Sequence, residues 1–168
     1  MDNFDVVISA VRIVEKLLNF PAPELFIIEQ NQLPNSEITG MYKFDDNEII
    51  FNEDWVLRSD WTEVIITAFH EMRHAYQGYC IRTQSRESQE TLKQWEYETL
   101  NYIMPSGYNN EIDDESYLKQ EIEIDAIAFA HKMILDHFGL KTVIPLVIKD
   151  LVHVKIQNNA IKGQLINE

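Results

Sequence analysis

The chain has 168 residues and a formal net charge of −14, with 45% hydrophobic and 25% charged residues. That length suits one domain over residues 1–168 with a real buried core, and the acidic excess argues against a nucleic-acid partner, which binds through clustered lysine and arginine. A single cysteine, Cys80, excludes an internal disulfide. The start Met-Asp-Asn-Phe-Asp has no basic-then-apolar secretory pattern and no apolar run reaches membrane-spanning length, so a cytoplasmic protein with no membrane partner is expected.

Residues Phe4 to Phe20 repeat Val, Ile and Leu at helical spacing and are followed by Pro21 and Pro23, which predicts an amphipathic packing helix. Leu25 to Glu29, Gly40 to Phe44 and Glu48 to Asn52 are short β-like runs. Asp45-Asp46-Asn47 joins the last two as a tight hairpin.

Asp60-Trp61-Thr62-Glu63 then supplies an N-cap with an acid three residues on, and Trp61, Val64, Ile65, Ala68, Met72 and Ala75 continue on one helical face. The spacing predicts a helix of about 17 residues, with Gly78 as its stop. Inside it lies His70-Glu71-Met72-Arg73-His74, the pattern H-E-x-x-H. On a helix the two imidazoles fall one turn apart on one face, where both reach a single metal ion, and the glutamate between them reaches a water on that metal. Lone histidines are more often surface or satisfied core residues; two that flank a glutamate at this spacing favour a zinc site.

Downstream, Ser88 to Ile103 reads as a second amphipathic helix and Pro105 to Asn110 as a loop. A long helix is expected from about Asp113 to Phe138, closed by Gly139 and apolar nearly all round in its middle. A last helix is expected from near Thr142 to about Ile156, with Pro145 in its first turn. The architecture is therefore α+β: a small three-stranded sheet with its hairpin packed on the motif helix, then a helical half.

A catalytic zinc with two histidine ligands needs a third protein ligand, and the buried helix offers Glu121, Glu123 and Asp125. Glu123 shares a row with Ala126, Ile127, Ala130 and Ile134, where small residues let a second helix approach, and this favours it. Glu121 is the alternative, and its spacing to Asp125 would let the aspartate orient a histidine from behind. Nothing pairs His131, His137 and His153 at ligand spacing, so they read as satisfied or exposed histidines ahead of ligands or transition-state donors. Arg73 reads as a surface residue ahead of an ion-pair partner for a nearby acid or the substrate, Cys80 as a buried or incidental thiol ahead of a ligand, and Tyr76, Tyr97, Tyr102 and Tyr117 as packing aromatics or oxyanion donors.

His70 to His74, together with Glu123-Ile124-Asp125-Ala126-Ile127-Ala128-Phe129-Ala130, resembles the zincin metallopeptidases of the glutamate-ligand type. More narrowly, it resembles the small ImmA/IrrE-type enzymes of bacteria, phages and mobile elements, with Asp125 where that pattern has a second glutamate. The likeness spans roughly residues 40 to 135. It implies one Zn2+ per chain on His70, His74 and Glu123, Glu71 as general base and peptide or protein substrates. It also implies substrate pairing along the strand at Glu48 to Asn52. The chain has no spare helix-turn-helix segment, so cleavage of a repressor does not follow. The competing expectation is a catalytically weak module on the same fold that holds metal or a protein partner; the intact Glu71 speaks for the enzyme.

Overall fold

A computed structural model describes residues 2–107 and 113–165, with side chains to residue 158. The first helix, α1 (Asn3–Leu18), is capped by Asp2, whose side chain accepts from Asp5 N, and ends one turn before the prolines at Asn19, in the left-handed region at φ 49°. Strands β1 (Glu24–Ile28), β2 (Gly40–Lys43) and β3 (Glu48–Asn52) follow. Their order is β1-β3-β2, with β3 parallel to β1 and antiparallel to β2, so Ile50 pairs with Phe26 on one side and Met41 on the other. The strand at Glu48 to Asn52 is thus central and presents no free edge. It is the most buried of the three, as a strand paired on both sides should be.

Asn52 turns the chain out of the sheet: its side chain accepts from Trp55 N at 3.3 Å and donates to Ile38 O at 3.1 Å, capping the short α2 (Glu53–Arg58). Helix α3 (Trp61–Thr83) starts on the Asp60 cap as the sequence predicts but runs 23 residues, past Gly78, to a left-handed Gln84. Gly78 does not stop it. A Cβ there would stand 2.7 Å from Tyr42 Oη and 3.1 Å from Arg82 Nη1, so glycine serves close helix-to-strand approach. Burial of Ala75, Tyr76 and Cys80 around it offsets its poor helix propensity.

Helix α4 (Gln89–Leu100) is capped by Ser88, which accepts from Thr91 N at 3.1 Å. The expected long helix from Asp113 is two: α5 (Glu115–Leu118) and α6 (Glu121–Phe138), broken at Gln120. Gln120 spends its amide on Ile103, accepting from its N at 2.9 Å and donating to its O at 3.0 Å. The Glu98 carboxylate of α4 accepts from Glu121 N and Ile122 N at 2.9 and 2.8 Å, so another helix supplies the cap of α6. At the C-terminal side a 3-10 turn at Leu146–Ile148 follows Pro145 and leads into α7 (Lys149–Leu165), which begins and ends later than its sequence pattern suggests.

Helix α3 lies at the centre, against α1, the sheet and α6; Val64, Ala68, Phe69 and Met72 are fully buried there with Val7, Ile49, Phe51, Ile122 and Ile134. A smaller cluster of Leu118, Ile124, Ala128, Ile148 and Val152 seats α7 on α6. Among the described residues no helix is long and apolar enough to cross a membrane.

Candidate metal centre

The two histidines of α3 face the first turn of α6. His70 Nε2 and His74 Nε2 are 3.0 Å apart, and the two oxygens of Glu123 face one imidazole each, Oε2 at 3.4 Å from His70 Nε2 and Oε1 at 3.3 Å from His74 Nε2. Three donors around a tetrahedral zinc, each about 2.0–2.1 Å from the ion, stand about 3.3 Å from one another. The 3.0 Å between the imidazole nitrogens is close to that figure, and one ligand atom from each of His70, His74 and Glu123 lies within 4.8 Å of the others, so among the described residues these three could hold a metal ion.

Glu123 is fully buried, and its Oε2 makes no hydrogen bond, an arrangement that costs free energy unless a cation or proton meets it. Tyr102 donates to Oε1 at 2.6 Å. Burial would raise the Glu123 pKa, but the charge of His74 and the two imidazoles beside it prevail and hold it well below the usual carboxylate value. In His74 burial opposes protonation, and the Glu123 carboxylate overrides it, lifting the pKa to about 9. A buried carboxylate that keeps its charge between two imidazoles is a donor set for a divalent cation of intermediate softness such as zinc.

Glu71 points to the same side of α3, 7% exposed, and burial raises its pKa despite the neighbouring histidines. His70 and Glu71 line a cleft of about 750 Å³ whose walls include Ile38, Gly40, Trp55, Met104, Tyr117, Ile127 and His131. Tyr117 packs edge-on against Tyr102, and its hydroxyl is kept protonated by burial and the Glu123 charge. His131 bonds Thr142 through Nδ1, and burial followed by the charge of His70 lowers its pKa to about 4, so it is neutral.

The remaining candidates lie elsewhere. Glu121 turns away to Lys155 of α7, with 39% of its side chain exposed, and does not join the cluster. His137 and His153 are exposed, Tyr97 is 63% exposed, and Cys80 is buried within α3. Arg73 is no surface residue. It is 8% exposed, bonds both oxygens of Asp125 at 2.7 and 3.2 Å, and lies over the rings of Tyr76 and Phe129 at 4.7 and 5.2 Å, on the face of α3 away from the cleft.

Asp125 does not touch a histidine. Between them stands Gln77, which the sequence reading passes over: its Oε1 meets His74 Nδ1 at 2.8 Å, and its Nε2 donates to Asp125 Oδ2 at 2.9 Å and Ile122 O at 3.0 Å. The available signal was a glutamine three residues after His74, on a turn otherwise made of Ala75, Tyr76 and Gly78. The acceptors of its amide nitrogen, however, lie on a helix more than forty residues away.

The chain matches no protein-family model, no curated protein and no solved structure. What the centre can do is therefore read from its own geometry.

Proposed function

We propose that this chain is a zinc-dependent peptide hydrolase of the zincin type, related in design to the small ImmA/IrrE-like metallopeptidases. One observation carries the proposal: two imidazoles and a buried carboxylate converge at metal-ligand spacing beside a second carboxylate, Glu71, that opens on a cleft. His70, His74 and Glu123 would hold the ion. When bound, zinc supplies a Lewis acid that polarises a carbonyl oxygen and makes water a nucleophile near neutral pH.

The residues of the chain do the rest. Glu71 accepts the proton of the attacking water and returns it to the departing amine; its burial strengthens its hold on a proton and suits it to this shuttle. Tyr117 and neutral His131 line the same cleft and offer hydrogen bonds to a developing oxyanion. An extended peptide would pair with the outer edge of β2, the strand that contributes Gly40 to the cleft, because β3 is already paired on both sides. The mostly apolar walls at Ile38, Trp55, Met104 and Ile127 favour a substrate with a hydrophobic side chain near the scissile bond.

The test combines metal analysis with peptide-library cleavage. About one zinc per chain is expected, lost in a His70→Ala/His74→Ala double variant. Cleavage should fall by roughly 10²–10⁴-fold in Glu71→Gln while zinc is retained. Zinc without cleavage in the wild type would instead establish a metal- or protein-binding module, and absence of zinc would remove both readings.

A further inference from the structure

Gln77 has its two amide functions committed in opposite directions. Its nitrogen has two acceptors, Asp125 Oδ2 at 2.9 Å and Ile122 O at 3.0 Å, and these assign the amide orientation. Its oxygen therefore faces His74 Nδ1, at 2.8 Å, and an amide oxygen can only accept. Nδ1 must carry a hydrogen, which leaves Nε2 to face Glu123 and His70 as the ligating nitrogen.

The amide is itself held. Arg73, in the same motif, fixes the Asp125 carboxylate with two hydrogen bonds, and Lys155 approaches its other side at 3.5 Å. Gln77 is fully buried, Asp125 1% exposed and Arg73 8% exposed, so water does not compete for these bonds. A side chain that merely filled space here would donate to neither Asp125 Oδ2 nor Ile122 O and would place no demand on His74.

We infer that Gln77 is a positioning residue for the metal centre: it selects the Nε2-ligating form of His74 and fixes its ring plane, and the Arg73–Asp125 pair locks Gln77 in turn. The inference rests on the metal reading above. It adds that zinc affinity depends on a residue that contributes no ligand, in the way that partners behind a ligating histidine set its orientation and basicity.

The experiment measures zinc affinity by chelator competition, together with the His74 Nδ1–H resonance in the zinc-loaded protein, for the wild type, Gln77→Met and Gln77→Glu. Methionine keeps the length and apolar volume but removes the acceptor, and zinc affinity should fall by about 10–100-fold, with the Nδ1–H signal lost to fast exchange. Glutamate keeps an oxygen opposite Nδ1, and beside Asp125 the two carboxyls share one proton, so a donor to Asp125 survives. Its affinity should stay within about three-fold of wild type, and the resonance should remain, since the buried acceptor is retained. Circular dichroism and unfolding midpoints separate a lost clamp from a lost fold, and Gln77→Glu supplies the folded comparison if Gln77→Met does not fold. Zinc held equally by wild type and Gln77→Met, or lost equally from a folded Gln77→Glu, overturns the inference alone. A wild type that binds no zinc overturns it together with the metal reading.

Discussion

Two acids one turn apart on α6 should differ sharply when removed. Asp125→Ala deletes the acceptor of two Arg73 bonds, at 2.7 and 3.2 Å, and of one from Gln77, at 2.9 Å. Arg73, 8% exposed, is then a buried cation whose other acid, Glu87, stands 4.0 Å away. Breaking a buried pair from one side costs about 3–5 kcal/mol, because the remaining charge stays desolvated. At a denaturant dependence near ~2 kcal/mol per molar, that lowers the urea midpoint by about 1.5–2.5 M. Glu121→Ala removes a side chain that is 39% exposed and, among the described residues, pairs with Lys155, and it should cost no more than about 1 kcal/mol.

The pH dependence has a defined sign. Burial would raise the Asp125 pKa, but the Arg73 guanidinium outweighs it and holds it below its ordinary value of 3.8. The pair's contribution is therefore complete above that ordinary value and is lost as pH falls through the lower folded-state value. Urea unfolding of wild type and both variants at pH 7 and again below pH 3.5 measures it. Equal losses for the two variants at pH 7, or a gap between wild type and Asp125→Ala that widens in acid, would refute the reasoning.

Protons should compete with zinc for His74, whose pKa is lifted to about 9, so apparent zinc affinity should rise about tenfold per pH unit for each proton released, from pH 6.5 towards 9. Chelator competition across that range measures it, and a flat profile would contradict a His74–Glu123 pair. Gly78→Ala gains up to about 1 kcal/mol of helix propensity. It also drives a methyl to 2.7 Å from Tyr42 Oη, which hydrogen bonds to Asn47 and Arg82 pin in place. The net expectation is a loss of about 1–2 kcal/mol in thermal or urea unfolding, and a more stable variant would show that Tyr42 yields freely.

Local signals in this chain were legible because they depend on neighbours in sequence. Helix α3 begins at its Asp60 cap, the hairpin turns at Asp45 to Asn47, and His70 with His74 share a face, since each follows from backbone periodicity and short-range hydrogen bonding. The row of small residues that favoured Glu123 is local too, and tertiary packing turned that preference into a distance. Glu123 and Glu121 differ by two positions, about 200° around a helix, so the rotation of α6 against α3 sends one to the histidines and the other to Lys155.

The remaining features arise from side chains that meet across the fold. Gln120 and Glu98 break the expected long helix by hydrogen bonding to and from another segment, where local propensity would have continued it. Close packing on Tyr42 makes Gly78 an interior residue instead of a stop, and the parallel pairing with β1 puts β3 in the middle of the sheet. Arg73 is buried where Asp125 neutralises it and Tyr76 and Phe129 pack against it. The residue types a metal site requires were thus written along the chain, whereas which acid meets the two histidines and what stands behind His74 depended on helix rotation and long-range hydrogen bonds, which no local pattern encodes.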